Sequence, residues 1–348
     1  MINECFANNL KSARVRAGLS GAELCRRMNG LVSKQAISKY EKGLMMPDST
    51  TLIALANALS VKVDYFFRSN HCQIEQVNYR KKQKFSKKEQ NALTERIKDL
   101  VERYQEIESI LGIETNCELP LYPIRVPDEI AIVAKGIKEL WLLGEDGICN
   151  LLGVLEEHGV KVILIKAGDG FDGVSARAGN CPVIVLNNNV CSERMRFTAL
   201  HELGHLVLRF DESICEKVQE QWCHQFASEM LISSDVLRSR LGKKRESISR
   251  SEALSIQAQF GISIDALLHR LKDMKIMSDQ AYRHYCIKRN TRSDFKAFVD
   301  TSRCIPEQTN RFEGLVYRAF SNALISGSKA AELLNVPESE IRNKMKLA

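Results

Sequence analysis

Between residues 6 and 67 apolar positions recur at helical spacing in short runs, each closed by a turn signal. Phe6, Leu10, Ala13 and Ala17 mark a first helix, which Gly18 ends in a left-handed conformation. Ser20 and Glu23 make a capping-box pattern at the start of the next, carried by Ala22, Leu24 and Met28. After Asn29-Gly30, Ser33 opens a helix that Gly43 stops. Pro47-Asp48-Ser49 starts another, with Leu52, Leu55, Ala56 and Leu59 inward. Asp64-Tyr65-Phe66-Phe67 closes what reads as a five-helix unit. From 87 to 111 a stripe of Leu93, Ile97, Leu100, Val101, Tyr104, Ile107 and Leu111 predicts a longer helix, with Glu95, Lys98, Asp99, Glu102 and Glu106 on its polar face. Residues 127–158 read as helical, and 160–165 and 183–186 as short strands. The pattern predicts a mainly α protein with a small β-sheet, an α+β fold.

At 348 residues the chain is long enough for two or three domains, and 44% hydrophobic content supplies proper cores. No apolar run approaches the ~18 residues of a membrane span. The N-terminus lacks the pattern of a signal peptide, and the eleven cysteines contain no CxxC pair, which predicts reduced thiols and a cytoplasmic location. The net charge of +7 is unevenly spread. Residues 1–88 hold sixteen Lys and Arg against six Asp and Glu, a balance of +10, so the remainder carries −3. The densest basic run is residues 79–88. That distribution changes the reading of the helix from Ser33. Ala36, Ile37 and Tyr40 anchor one side, while Lys34, Gln35, Ser38 and Lys39 project from the other. Gln pairs bidentately with adenine, and Lys reaches guanine or phosphate, so Ser33, Lys34, Gln35, Ser38 and Lys39 are candidate contacts to double-stranded DNA.

The most chemical segment is Phe197 to Leu208, FTALHELGHLVL. His201 and His205 stand one helical turn apart on one face, so both imidazoles can reach one ion, and neutral imidazole suits zinc. Glu202 lies off the ligand axis, placed to act as general base: the HExxH arrangement of a zinc hydrolase. A catalytic zinc needs a third ligand. Glu220, one turn before His224 on the following helix, is the first candidate, with Glu216 and His224 as alternatives. His224 is otherwise expected to brace Glu220, and Cys223 to be a small buried residue.

The segments SKQAISKYEKG and MPDSTTLIALANALSV, within residues 6–67, resemble the XRE (Cro/CI-like) helix-turn-helix family; Asn29-Gly30-Leu31 adds about two residues to that family's usual turn. Residues 170–231, with Gly173-Val174-Ser175, Cys181 to Asn187, Glu193 to His205 and Cys223 to Ala227, resemble the ImmA/IrrE metallopeptidases. The departures are His224 where that family usually has Asn and Ile232-Ser233-Ser234 where a Pro commonly follows. The resemblance implies domains at 1–68 (helix-turn-helix), 69–120 (basic linker and connecting helix), 121–290 (zincin-like peptidase) and 291–348 (helical region). It further implies a zinc (Zn2+) endopeptidase acting on a repressor or other regulatory protein, in a regulator that binds operator DNA, with a homodimer favoured by half-site reading. The rival expectations are a non-enzymatic regulator with structural or sensing zinc, and a toxin–antitoxin component. Residues 326–336 look like the first half of another helix-turn-helix, expected to serve as a cap on the peptidase.

Overall fold

The computed structural model describes residues 2–68, 74–75, 86–113, 119–168 and 170–345. Residues 79–85, most of the densest basic run, lie outside the described residues. Two compact units divide the chain: Met1–Ile113 together with Asn322–Ala348, and Glu114–Ser321.

The first unit starts with α1 (Ile2–Arg16), α2 (Gly21–Arg27), α3 (Lys34–Glu41) and α4 (Ser49–Leu59), then a 3-10 turn over Val63–Phe67. The fifth expected helix is thus a 3-10 turn. The caps fall where the sequence put them. Ser20 and Glu23 make a reciprocal capping box, Ser33 accepts from Ala36 N at 3.1 Å, and Asp48 accepts from Thr51 N at 2.8 Å. Phe6, Leu10, Ala13, Leu24, Ile37, Leu55 and Phe66 are buried together in one core. Ala17, read as part of the first stripe, lies one residue past α1 and is exposed. Arg14 grips Glu41 bidentately, at 2.5 and 2.8 Å, which ties α1 to the end of α3. A two-residue strand, β1 (Ile74–Glu75), precedes α5 (Lys87–Ile110), which packs along α1.

The second unit contains β2 (Tyr122–Ile124), α6 (Glu129–Leu140), α7 (Leu151–Glu157), β3 (Lys161–Ile165), β4 (Gly173–Ala178), β5 (Cys181–Asn187), α8 (Ser192–Val207), β6 (Leu208–Phe210) and α9 (Glu216–Leu231). There follow α10 (Ser234–Leu241), α11 (Arg250–Phe260), α12 (Ile264–Asp273), α13 (Asp279–Thr291), α14 (Ser293–Asp300) and α15 (Arg311–Ser321). β5 is central: β3 runs parallel to it, with Ile163 opposite Val185, and β4 antiparallel, with Ser175 opposite Ile184. β2 and β6 pair in parallel, Tyr122 opposite Leu208. α8 packs on β4 and β5 and against α9, so the HELGH helix is walled by sheet and helix, and Leu200, Leu203 and Val207 are wholly buried. No helix among the described residues is long and apolar enough to cross a membrane.

The last elements, α16 (Gly327–Leu334) and α17 (Glu338–Lys344), correct the expectation that the C-terminal end caps the peptidase: they belong to the first unit. The physical reason is a cluster of charges buried beside α5. Asp99 receives Arg103 Nη2 at 2.6 Å and pairs with Arg16 at 2.7 Å, and Arg68 bonds Glu332 of α16. Lys329 of α16 meets Glu106 of α5 at 2.6 Å, while Arg103 also donates to the carbonyl of Leu333 at 3.4 Å. Burial pushes the Arg103 guanidinium below its usual range, and the Asp99 carboxylate counters it.

Candidate metal centre and nucleic-acid interface

α8 brings His201, Glu202 and His205 into the interior. His201 and Glu202 are each 1% exposed. The two Nε2 atoms converge to 3.1 Å, and α9 delivers Glu220 to the same point. Its carboxylate lies 3.2 Å from His205 Nε2 and 3.5 Å from His201 Nε2. Among the described residues these three form the group whose donor atoms all lie within 4.8 Å of one another. Two imidazole nitrogens and one carboxylate oxygen match the donor set of a three-ligand zinc site, and the two imidazoles suit zinc better than a hard cation such as magnesium, which prefers an all-oxygen shell.

Close approach of the two helices is what allows this. A Cβ added at Gly204 would stand 3.2 Å from the Phe226 ring and 3.4 Å from Cys223 Cβ and Sγ, so the glycine lets α9 lie tight on α8. Cys223 has a role the sequence did not reveal: its sulfur is 3.5 Å from His205 Nδ1, the nitrogen facing away from the cluster. A histidine fixed at Nδ1 presents Nε2 to a metal. His224 does meet Glu220, through the main chain. Its Nδ1 meets the main-chain carbonyl of Glu220 at 2.6 Å, and its exposed ring packs 4.4 Å from that of His201, between it and Phe197. Glu216, an alternative third ligand, is exposed at the first position of α9 and outside the three-residue group.

Glu202 lies outside the group of three converging donors and has a partner of its own. Ser175 Oγ of β4 donates to its Oε2 at 2.8 Å, in a contact buried on both sides. In the sequence Ser175 stands out only as part of Gly173-Val174-Ser175. The available signal was the two-residue spacing of Gly173, Ser175 and Arg177, which a strand turns to one face.

In the first unit, Ile37 and Tyr40 of α3 are buried, and Ser33, Lys34, Gln35, Ser38 and Lys39 are all exposed. Ser33 also caps α3 through its hydroxyl, so part of its hydrogen-bonding capacity is spent within the fold.

Comparison with known families bears on both regions. Residues 10–66 match the helix-turn-helix family model, and residues 155–272 match the family described as IrrE N-terminal-like domain. No curated protein and no solved structure matches the chain. Within the matched segments lie α3 with its polar face, and α8 and α9 with the three converging donors. The chain therefore joins an XRE-type helix-turn-helix domain to a metallopeptidase-like domain of the IrrE type.

Proposed function

We propose that this protein is a cytoplasmic, DNA-binding transcription regulator whose second unit is a zinc endopeptidase that cleaves a repressor or other regulatory protein. The observation that carries the peptidase half is the convergence of His201, His205 and Glu220 beside a buried Glu202 on the same helix. In this reading those three hold Zn2+, and bound zinc supplies Lewis-acid polarisation of the scissile carbonyl and the attacking water. Glu202 takes the proton from that water as it attacks, then passes it to the leaving amine.

A closed four-ligand site, which would make the metal purely structural, has less support. His224 commits Nδ1 to a main-chain carbonyl and stands outside the group of mutually close donors. Co-expression with the products of neighbouring genes tests the peptidase half: cleavage products are expected with the native chain and absent with Glu202→Gln.

For DNA, α3 would lie in a major groove, with Lys34 and Gln35 reading bases and Ser33, Ser38 and Lys39 meeting bases or phosphates. A homodimer on two half-sites is the form this reading favours. Duplexes selected from a random pool with the full chain supply the probe. Against the best of them Lys34→Ala and Gln35→Ala should each weaken binding by about 1–3 kcal/mol. Unchanged affinity in both variants removes the assignment of α3.

A further inference from the structure

Three contacts run in step along β4 and α8. Gly173 backs onto Thr198, where an added Cβ would stand 2.6 Å from Thr198 Cγ2. Ser175 donates to Glu202 at 2.8 Å, and Arg177 Nη2 donates to the carbonyl of Leu206 at 3.0 Å. On the strand these are positions i, i+2 and i+4; on the helix, i, i+4 and i+8. Two strand residues advance about 6.6 Å and four helical residues about 6 Å, so the two repeats keep register over this length. Glu202 is the middle rung. Missing side-chain bulk at Gly173 sets the separation, the Arg177 bond fixes the far end, and Ser175 is delivered to one carboxylate oxygen.

We infer that Ser175 is the positioning residue of the reaction: its hydroxyl holds Glu202 Oε2 and fixes the rotation of the carboxylate that handles the proton. This rests on the peptidase reading above. A carboxylate on a two-carbon stem has its own rotational freedom, and in a buried site a single donor is enough to select one orientation. Ser175 touches neither the three donors nor, in this account, the substrate. Its effect passes through Glu202.

The test uses the full zinc-loaded chain and acetohydroxamic acid, whose N-hydroxyl proton passes to a neighbouring carboxylate as it binds such a centre as acetohydroxamate. Glu202→Gln is the reference and should weaken the probe. Ser175→Ala should keep zinc and the native melting transition, yet weaken acetohydroxamate by about 10-fold or more, as loss of a supporting hydrogen bond does. Ser175→Thr, which keeps the hydroxyl, should restore most of that affinity. With a substrate from the co-expression experiment, Ser175→Ala should lower kcat and leave KM near its native value. Native affinity in Ser175→Ala, with Glu202→Gln weakened, overturns the role of Ser175 and leaves the peptidase reading standing. Loss of zinc or of folding in Ser175→Ala assigns a structural role and also overturns it. A native chain that binds no acetohydroxamate, or binds it equally well as Glu202→Gln, overturns the peptidase reading itself.

Discussion

Glu202→Gln should retain the metal and lose cleavage, with kcat down by about 10²–10⁴-fold, the usual worth of a general base. The substitution is nearly isosteric and leaves His201, His205 and Glu220 untouched, so the converging donors keep their positions. The amide offers no basic oxygen for the water's proton. Its nitrogen would also face the Ser175 hydroxyl if it replaced Oε2, which only requires the hydroxyl to rotate and accept. Fold and metal affinity are therefore expected to survive. The measurement is cleavage of a co-expressed substrate at matched zinc content. Cleavage at the native rate would remove Glu202 from the chemistry.

Asp99→Ala should destabilise the first unit by about 3 kcal/mol or more, because the change strips a buried cation of its carboxylate without removing the cation. Asp99 is 5% exposed and is the closest acid to both Arg103 and Arg16. Arg16 keeps its place over the Tyr65 ring, 5.0 Å from its centre, but Arg103 retains only long bonds to carbonyls of α16. The double variant Asp99→Ala with Arg103→Leu should recover a good part of the loss, since an apolar side chain carries no desolvation penalty. Both tryptophans, Trp141 and Trp222, lie in the second unit. The loss is therefore expected in the helical circular dichroism transition, by about 10 °C, and not in tryptophan fluorescence. A shift in fluorescence alone would place the damage in the wrong unit.

These two sites differ in how far the sequence disclosed them. The helix at His201 was legible because two histidines four apart, in an apolar setting, leave few alternatives. The polar face of α3 was legible for a similar reason: Ile37 and Tyr40 are its buried residues, so its outward positions follow from spacing. Asp99 falls on the charged face of α5 opposite its apolar stripe, yet it is buried with Arg103 one turn on. An i, i+4 pair of opposite charges reads the same way on a solvated face as in a buried cluster, because the partners that distinguish them come from distant segments. Glu332, whose main-chain carbonyl Arg103 reaches at 3.5 Å, is one such partner, more than two hundred residues beyond. That is also why the membership of α16 and α17 could not be read.

β4 escaped for a different reason. Gly-Val-Ser-Ala-Arg-Ala has one β-branched residue and no aromatic, so propensity says little. Its small residues are what allow α8 to lie close. The close approach that hid the strand from pattern reading is the feature that brings Ser175 to Glu202. Glu220 is a candidate from its spacing to His205 and His224, whereas the contact of Cys223 with His205 depends on the packing of α9 on α8.

Zinc stoichiometry, measured on the purified full chain and four alanine variants after dialysis against metal-free buffer, tests the centre most directly. The account predicts one zinc per chain for native protein and for His224→Ala, and loss of zinc from His201→Ala, His205→Ala and Glu220→Ala. Retention by Glu220→Ala together with loss from His224→Ala would contradict it, since the third ligand would then be His224 and the open-site reading would fall.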